Sequence, residues 1–235
     1  MRLNLLTRIS LSLFVATCIA GPAQAQPYQA LPVDEAGEVP EFAAWREGLI
    51  DAVRRRDTEA VVALADPNIS LSYGDSDGHD TFRAWLNGMP NASWTGEYYW
   101  QQLEQVLTLG GTWEDRDDGK RHFCAPYTYT AELPPEMDLF DVLMVVEPDA
   151  PLYSGPSAEE PVVATLDYDI ATITDNPGMD PDQPEKPYWI GIRTADGAHE
   201  GYVDSRAVRF AVDYRACFTE GPDGTWIWDL FIAGD

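Results

Sequence analysis

The chain has 235 residues, with 40 acidic against 15 basic side chains and a formal net charge of −25. That excess of negative charge repels phosphate backbones, which excludes nucleic-acid binding, and it disfavours anionic lipid surfaces. Eight tryptophans and eleven tyrosines supply enough apolar surface for a packed core, so the acidity does not signal disorder.

Residues 1–25 have the layout of a secretory signal peptide: Arg2 and Arg8, then the apolar run "ISLSLFVATCIAG", then "AQA" at 23–25. Cleavage near Ala25 removes two arginines and no acids, so the exported chain carries −27. The competing reading is a lipoprotein anchored through Cys18. No later stretch is long and apolar enough to span a bilayer, so the expected location is periplasmic or secreted. Residues 26–40, with three prolines and three acids, read as a flexible leader.

From Glu41 the spacing of Phe42, Trp45, Leu49, Ile50 and Val53 predicts a helix with one apolar face, opposite Arg46, Asp51, Arg54 and Arg55. A second helix is expected over Thr58–Ala65. "ISLSY" (69–73) alternates as a strand, and "GDSDGHD" follows as a turn. "TFRAWL" and "YYWQQLEQVLTL" predict two further helices, the latter stopped by Gly110-Gly111. "HFCAPYTYTAEL" reads as a strand with an edge or bulge at Pro126. From about Asp141 the texture changes to short β-rich runs, "DVLMVVEP", "PVVATL", "IATIT", "YWIGIR" and "EGYVD", punctuated by Pro, Gly and Asp. "VDYRACFTE" and "TWIWDLFIA", joined by "GPDG", predict a closing β-hairpin.

Residues 141–210 resemble a bacterial Src homology 3 (SH3-type) domain. The resemblance rests on Leu152-Tyr153-Ser154-Gly155-Pro156-Ser157, Pro161–Leu166 ("PVVATL"), Trp189–Arg193 ("WIGIR"), Asp196-Gly197 and Gly201-Tyr202-Val203, in order. It implies a small β-barrel with an aromatic ligand groove, here Tyr153, Tyr188, Trp189 and Tyr202. Two departures stand out. Pro151-Leu152-Tyr153 replaces the usual Asn-Val-Arg, and the loop from Thr174 to Pro187 holds four prolines and four acids that can alter or cover the groove.

The expected architecture is therefore α+β: an N-terminal α+β domain (41–140), an SH3-like barrel (141–210), and a hairpin (211–235) that packs back on the first domain. Cys124 and Cys217 are the only cysteines after the signal. In an oxidising compartment they are expected to form a disulfide, worth about 4–5 kcal/mol in the chain-entropy account of so long a loop. Among candidates for chemistry, Asp75, Asp77 and Asp80 in "DSDGHD" offer oxygen ligands, but the twelfth position of a calcium loop is Leu86 rather than Glu, and the stretch reads better as a turn. Cys124 near His122 suggests a thiol nucleophile, yet the cysteine lies in a strand rather than at a helix start. There is no phosphate loop, serine elbow or zinc spacing, and no cofactor is implied.

The leading expectation is a non-enzymatic exported binding or scaffolding protein whose SH3-like domain contacts an envelope protein, a peptide or peptidoglycan. The alternative is a small-ligand-binding or hydrolytic α+β domain carrying the barrel as an accessory. Its mark would be a deep pocket within 41–135 holding His122 with a nearby Asp or Glu.

Overall fold

The computed structural model describes residues 28–74, 77–88, 95–180 and 186–234; the signal-like segment 1–25 lies outside them. The protein is α+β; the described residues form four α-helices and two β-sheets.

Helix α1 (Pro40–Arg54) begins on a proline, whose missing N–H costs nothing at a first turn. Phe42, Leu49, Ile50 and Val53 are buried as their spacing requires. Arg46 departs from its expected place on the polar face. It is buried, paired with Asp34 at 2.5 Å and lies over the Phe123 ring. Only a carboxylate delivered from upstream makes that burial tolerable. Helix α2 (Thr58–Ala63) is capped by Asp57, which accepts from the Ala60 N–H at 3.1 Å, and α4 (Gly96–Thr108) by Thr95, which accepts from the Tyr98 N–H. Helix α3 (Gly78–Leu86) starts before the expected "TFRAWL".

The first sheet contains β1 (Ala65–Ser70), β2 (Thr112–Asp115), β3 (Arg121–Ala125), β11 (Arg215–Glu220) and β12 (Trp226–Ile232), ordered β1-β12-β11-β3-β2. β1 runs parallel to β12 at the edge, which tolerates Pro67, and begins four residues before the expected "ISLSY". β3 is an interior strand rather than an edge. It ends at the cis Ala125–Pro126 bond, and a 3-10 turn (Tyr127–Tyr129) replaces the rest of the expected strand. Gly111 lets β2 approach β3, since a Cβ there would collide with the Cys124 carbonyl oxygen. One face of this sheet is aromatic and lies against the helices: Phe42 meets Phe123 at 4.7 Å, Trp226 at 4.8 Å and Trp113 at 5.1 Å between ring centroids. Such offset and edge contacts fill the interior that a deep pocket would have needed.

The second sheet has seven antiparallel strands: β4 (Val142–Val145), β5 (Ala150–Tyr153), β6 (Val162–Leu166), β7 (Ile170–Asp175), β8 (Trp189–Thr194), β9 (Glu200–Asp204) and β10 (Val208–Phe210). Their order is β10-β4-β7-β8-β9-β5-β6. Leu143, Val145, Leu152, Leu166, Ile190, Ile192 and Val203 form its own core. Gly201 permits the close crossing of β9 over β5, because a Cβ would run into the Tyr153 carbonyl oxygen. All seven strands fall between β3 and β11 in sequence, so the chain leaves the first sheet at Ala125 and re-enters it at Arg215 in the adjacent strand. The C-terminal hairpin β11–β12 completes the first sheet, as its sequence suggests.

A third apolar cluster joins the two units: Val142, Met144 and Ile170 pack with Tyr127 and Ala30. Ala30 belongs to the segment expected as a flexible leader. From residue 28 on that segment is ordered, because its backbone bonds to the second sheet (Ala30 N–H to the Tyr168 carbonyl, 2.9 Å) while Glu35 accepts from the Trp113 N–H (2.8 Å) on the first.

Candidate functional site

A cleft of about 640 Å³ opens where α4 faces β10 and the entry to β8, within the usual range for ligand pockets. The apolar side of α4 (Tyr99, Trp100, Leu103, Val106, Leu107) is buried in the first unit. That fixes Tyr98, Gln101, Gln102 and Gln105 on the side turned to the cleft. The opposite wall is Tyr188, Ser205, Val208 and Phe210, with Asp213 at the junction. Tyr188 and Ser205 hold each other: the Tyr188 N–H donates to Ser205 Oγ (3.1 Å) and the Ser205 N–H to the Tyr188 carbonyl (2.9 Å).

Arg209 pins the walls together. Its side chain is 1% exposed; it donates to Gln105 Oε1 (2.7 Å), Gln102 Oε1 (3.4 Å) and the Tyr214 carbonyl (2.9 Å), and pairs with Asp213 at 3.2 Å. Because the guanidinium uses both glutamine carbonyls, their NH₂ ends are left as donors on the cleft wall. Burial, with the Asp213 carboxylate adding to it, raises the Tyr98 and Tyr188 hydroxyls above the ordinary phenol range. Both stay neutral hydrogen-bonding groups at any physiological pH.

The four residues expected to line one groove divide between two places. Tyr153 and Trp189 meet edge to face at 5.2 Å, Tyr202 pairs with Tyr153 across β5 and β9, and all three are half-buried on the outer face of the second sheet. Tyr188, one residue before β8, takes the opposite side by strand alternation and joins the cleft. Tyr202 Oη also donates to Asp175 Oδ2 (3.4 Å), at the start of the acidic loop.

Cys124 and Cys217 are directly opposed on β3 and β11, with Cα atoms 4.2 Å apart, and are joined as a disulfide; they are buried and inert as nucleophiles. On the same outer face of the first sheet, Arg116 Nη2 lies 2.9 Å from each sulfur. His122 is there too, its Nε2 3.0 Å from Asp118 Oδ2 and its Nδ1 3.6 Å from Asp229 Oδ2. The dyad foreseen around His122 thus exists, but it faces outward from a ring-filled domain. Of the aspartates in "DSDGHD", Asp75 lies outside the described residues. Asp77 accepts from the Leu71 N–H (2.8 Å) and Asp80 pairs with Arg83 (3.1 Å), so both serve local structure. Among the described residues no group of three or more His, Cys, Asp or Glu side chains has metal-binding geometry.

Comparison with protein-family models, curated proteins and solved structures finds no match for this chain.

Proposed function

We propose that this is a non-enzymatic exported binding protein, that its seven-stranded unit is an SH3-like module of the bacterial type, and that a peptide segment of an envelope component lies in the cleft between α4 and β10. The observation that carries the reading is the cleft itself. Its walls come from both units, are held by a buried four-way arginine, and present amide and phenol groups beside Val208 and Phe210. The NH₂ ends of Gln102 and Gln105 can donate to a peptide carbonyl, Gln101 carries both a donor and an acceptor, and apolar neighbours exclude water around them. A wall polymer rich in carboxylates suits a chain of net charge −25 less well than an uncharged or basic peptide does.

The half-buried Tyr153–Trp189–Tyr202 face favours a second reading, in which the ligand stacks on the outer side of the sheet. Amide-resolved NMR titration with soluble muropeptides and with a panel of short uncharged and basic peptides separates the two. The cleft reading expects Gln101→Ala and Tyr188→Ala to weaken binding about tenfold, or ~1.4 kcal/mol, with Tyr153→Ala and Tyr202→Ala near neutral. The reverse pattern assigns the outer face, and saturable binding by none of these peptides overturns both.

A further inference from the structure

The wall of the cleft has a fixed polarity, and that polarity selects one chemical group. Resting on the cleft reading, we propose that the element recognised there is an uncharged secondary acetamide, the group that N-acetyl sugars and acetylated amines share.

Arg209 sets the polarity. A guanidinium is cationic at every physiological pH and carries only donors, so a side-chain amide beside it must turn its oxygen inward. Arg209 Nη1 holds Gln105 Oε1 at 2.7 Å and Gln102 Oε1 at 3.4 Å. No titration reverses that orientation. Residues three apart share a helix face, and both oxygens meet one nitrogen, which sets the two NH₂ groups side by side. Both side chains are half-buried and line the cleft, and neither amide nitrogen is a buried, unpartnered atom. These donors therefore open onto the cavity.

A pair of donors calls for a carbonyl oxygen, whose two lone pairs take a hydrogen from each. Gln101 lies one turn before Gln105 on the same wall. Arg209 does not engage it, so its oxygen can accept an N–H. Val208 and Phe210 offer apolar surface to a methyl group. Carbonyl, N–H and methyl together make an acetamide. Neither sign of charge is favoured at this point. The NH₂ donors oppose an ammonium, and the nearby charges are already matched: Arg209 by Asp213 (3.2 Å), Arg206 by Asp204 (2.6 Å) and Glu104 by Arg56 (3.4 Å). A cavity of about 640 Å³ leaves room for whatever carries the group.

The test is ¹H–¹⁵N NMR of the full chain at fixed pH and ionic strength. It follows the side-chain NH₂ signals of Gln102 and Gln105, each assigned by its loss in Gln102→Glu or Gln105→Glu. The probes are N-methylacetamide, N-acetylglucosamine and Nε-acetyl-lysine, against glucosamine, lysine and acetate. The expected result is a saturable shift with the three acetamides, about tenfold weaker or less with the charged controls. Gln105→Glu keeps a partner for Arg209 but loses the NH₂ group, and should weaken N-methylacetamide about tenfold. N,N-dimethylacetamide, which has no N–H, should bind about threefold more weakly than N-methylacetamide, and Gln101→Ala should abolish that difference. Preference between N-acetylglucosamine and Nε-acetyl-lysine tells a glycan source from an acetylated amine. Equal or stronger binding of glucosamine or acetate, an unchanged response in Gln105→Glu, or no saturable shift with any acetamide overturns the assignment. Should short peptides still bind at the cleft without moving the two NH₂ signals, the acetamide falls and the cleft reading stands.

Discussion

Replacing Arg209 by methionine keeps most of the side-chain volume and removes the guanidinium that joins α4, β10 and the entry to β11. The native side chain is 1% exposed and serves Gln105 Oε1, Gln102 Oε1, the Tyr214 carbonyl and the Asp213 carboxylate. Breaking a buried pair by deleting one partner costs about 3–5 kcal/mol, because the remaining groups keep their desolvation and lose their compensation. Asp213 is a fifth exposed and can recover some solvation, so the lower end, about 3 kcal/mol, is the expected loss. Urea unfolding followed by tryptophan fluorescence measures it, and Asp213→Asn in the same background completes a double-mutant cycle. A coupling of about 1 kcal/mol or more between the two sites is expected. A loss below about 1 kcal/mol for Arg209→Met would refute the claim that this arginine holds the cleft walls together.

Three other outcomes follow from named contacts. Cys124 and Cys217 should resist alkylation until reductant is added, as read by intact mass, and replacing both by serine should cost up to about 4–5 kcal/mol for a closure spanning 93 residues. Gly201→Ala should lower the melting temperature, with a loss of about 1–3 kcal/mol, because its methyl must push β9 away from the Tyr153 carbonyl. Burial raises the Asp229 carboxyl above its ordinary value, so the folded state binds the proton more tightly than the unfolded chain does. The contribution of Asp229 is therefore most favourable below the unfolded value near 3.8 and is lost as pH rises through the folded one. Asp229→Asn should accordingly gain on the wild type over that rise, and a flat difference across acid-to-neutral unfolding curves would contradict it.

Elements whose burial is decided locally were legible in the sequence. The α1 stripe carries its own period, the β8 and β9 runs are β-rich and set off by Pro, Gly and Asp, and the closing hairpin is announced by "GPDG" between two aromatic strands. What escaped depends on partners distant in the chain. Arg46 looks solvent-facing until Asp34 is brought to it. β2 has one large apolar residue in four, and its membership in the sheet is fixed by β3 opposite it. The cleft was illegible because α4 and β10 lie about a hundred residues apart and meet through Arg209. His122 was suspected with an acidic neighbour, but Asp229 reaches it from β12, a strand beyond β11, and no local period encodes that. Tyr188 and Trp189 were read as neighbours in one groove. Adjacent residues at a strand's entry point to opposite faces, and that alternation sends them apart.

The bond between β3 and β11 has a topological consequence. Residues 124 to 217 form a covalently closed ring containing the whole second sheet and the acidic proline-rich loop. A single protease cut anywhere inside that circuit linearises it without releasing either fragment, so the nicked molecule gains only one water in mass and keeps its partners within reach. Two insults, cleavage and reduction, are needed to take it apart.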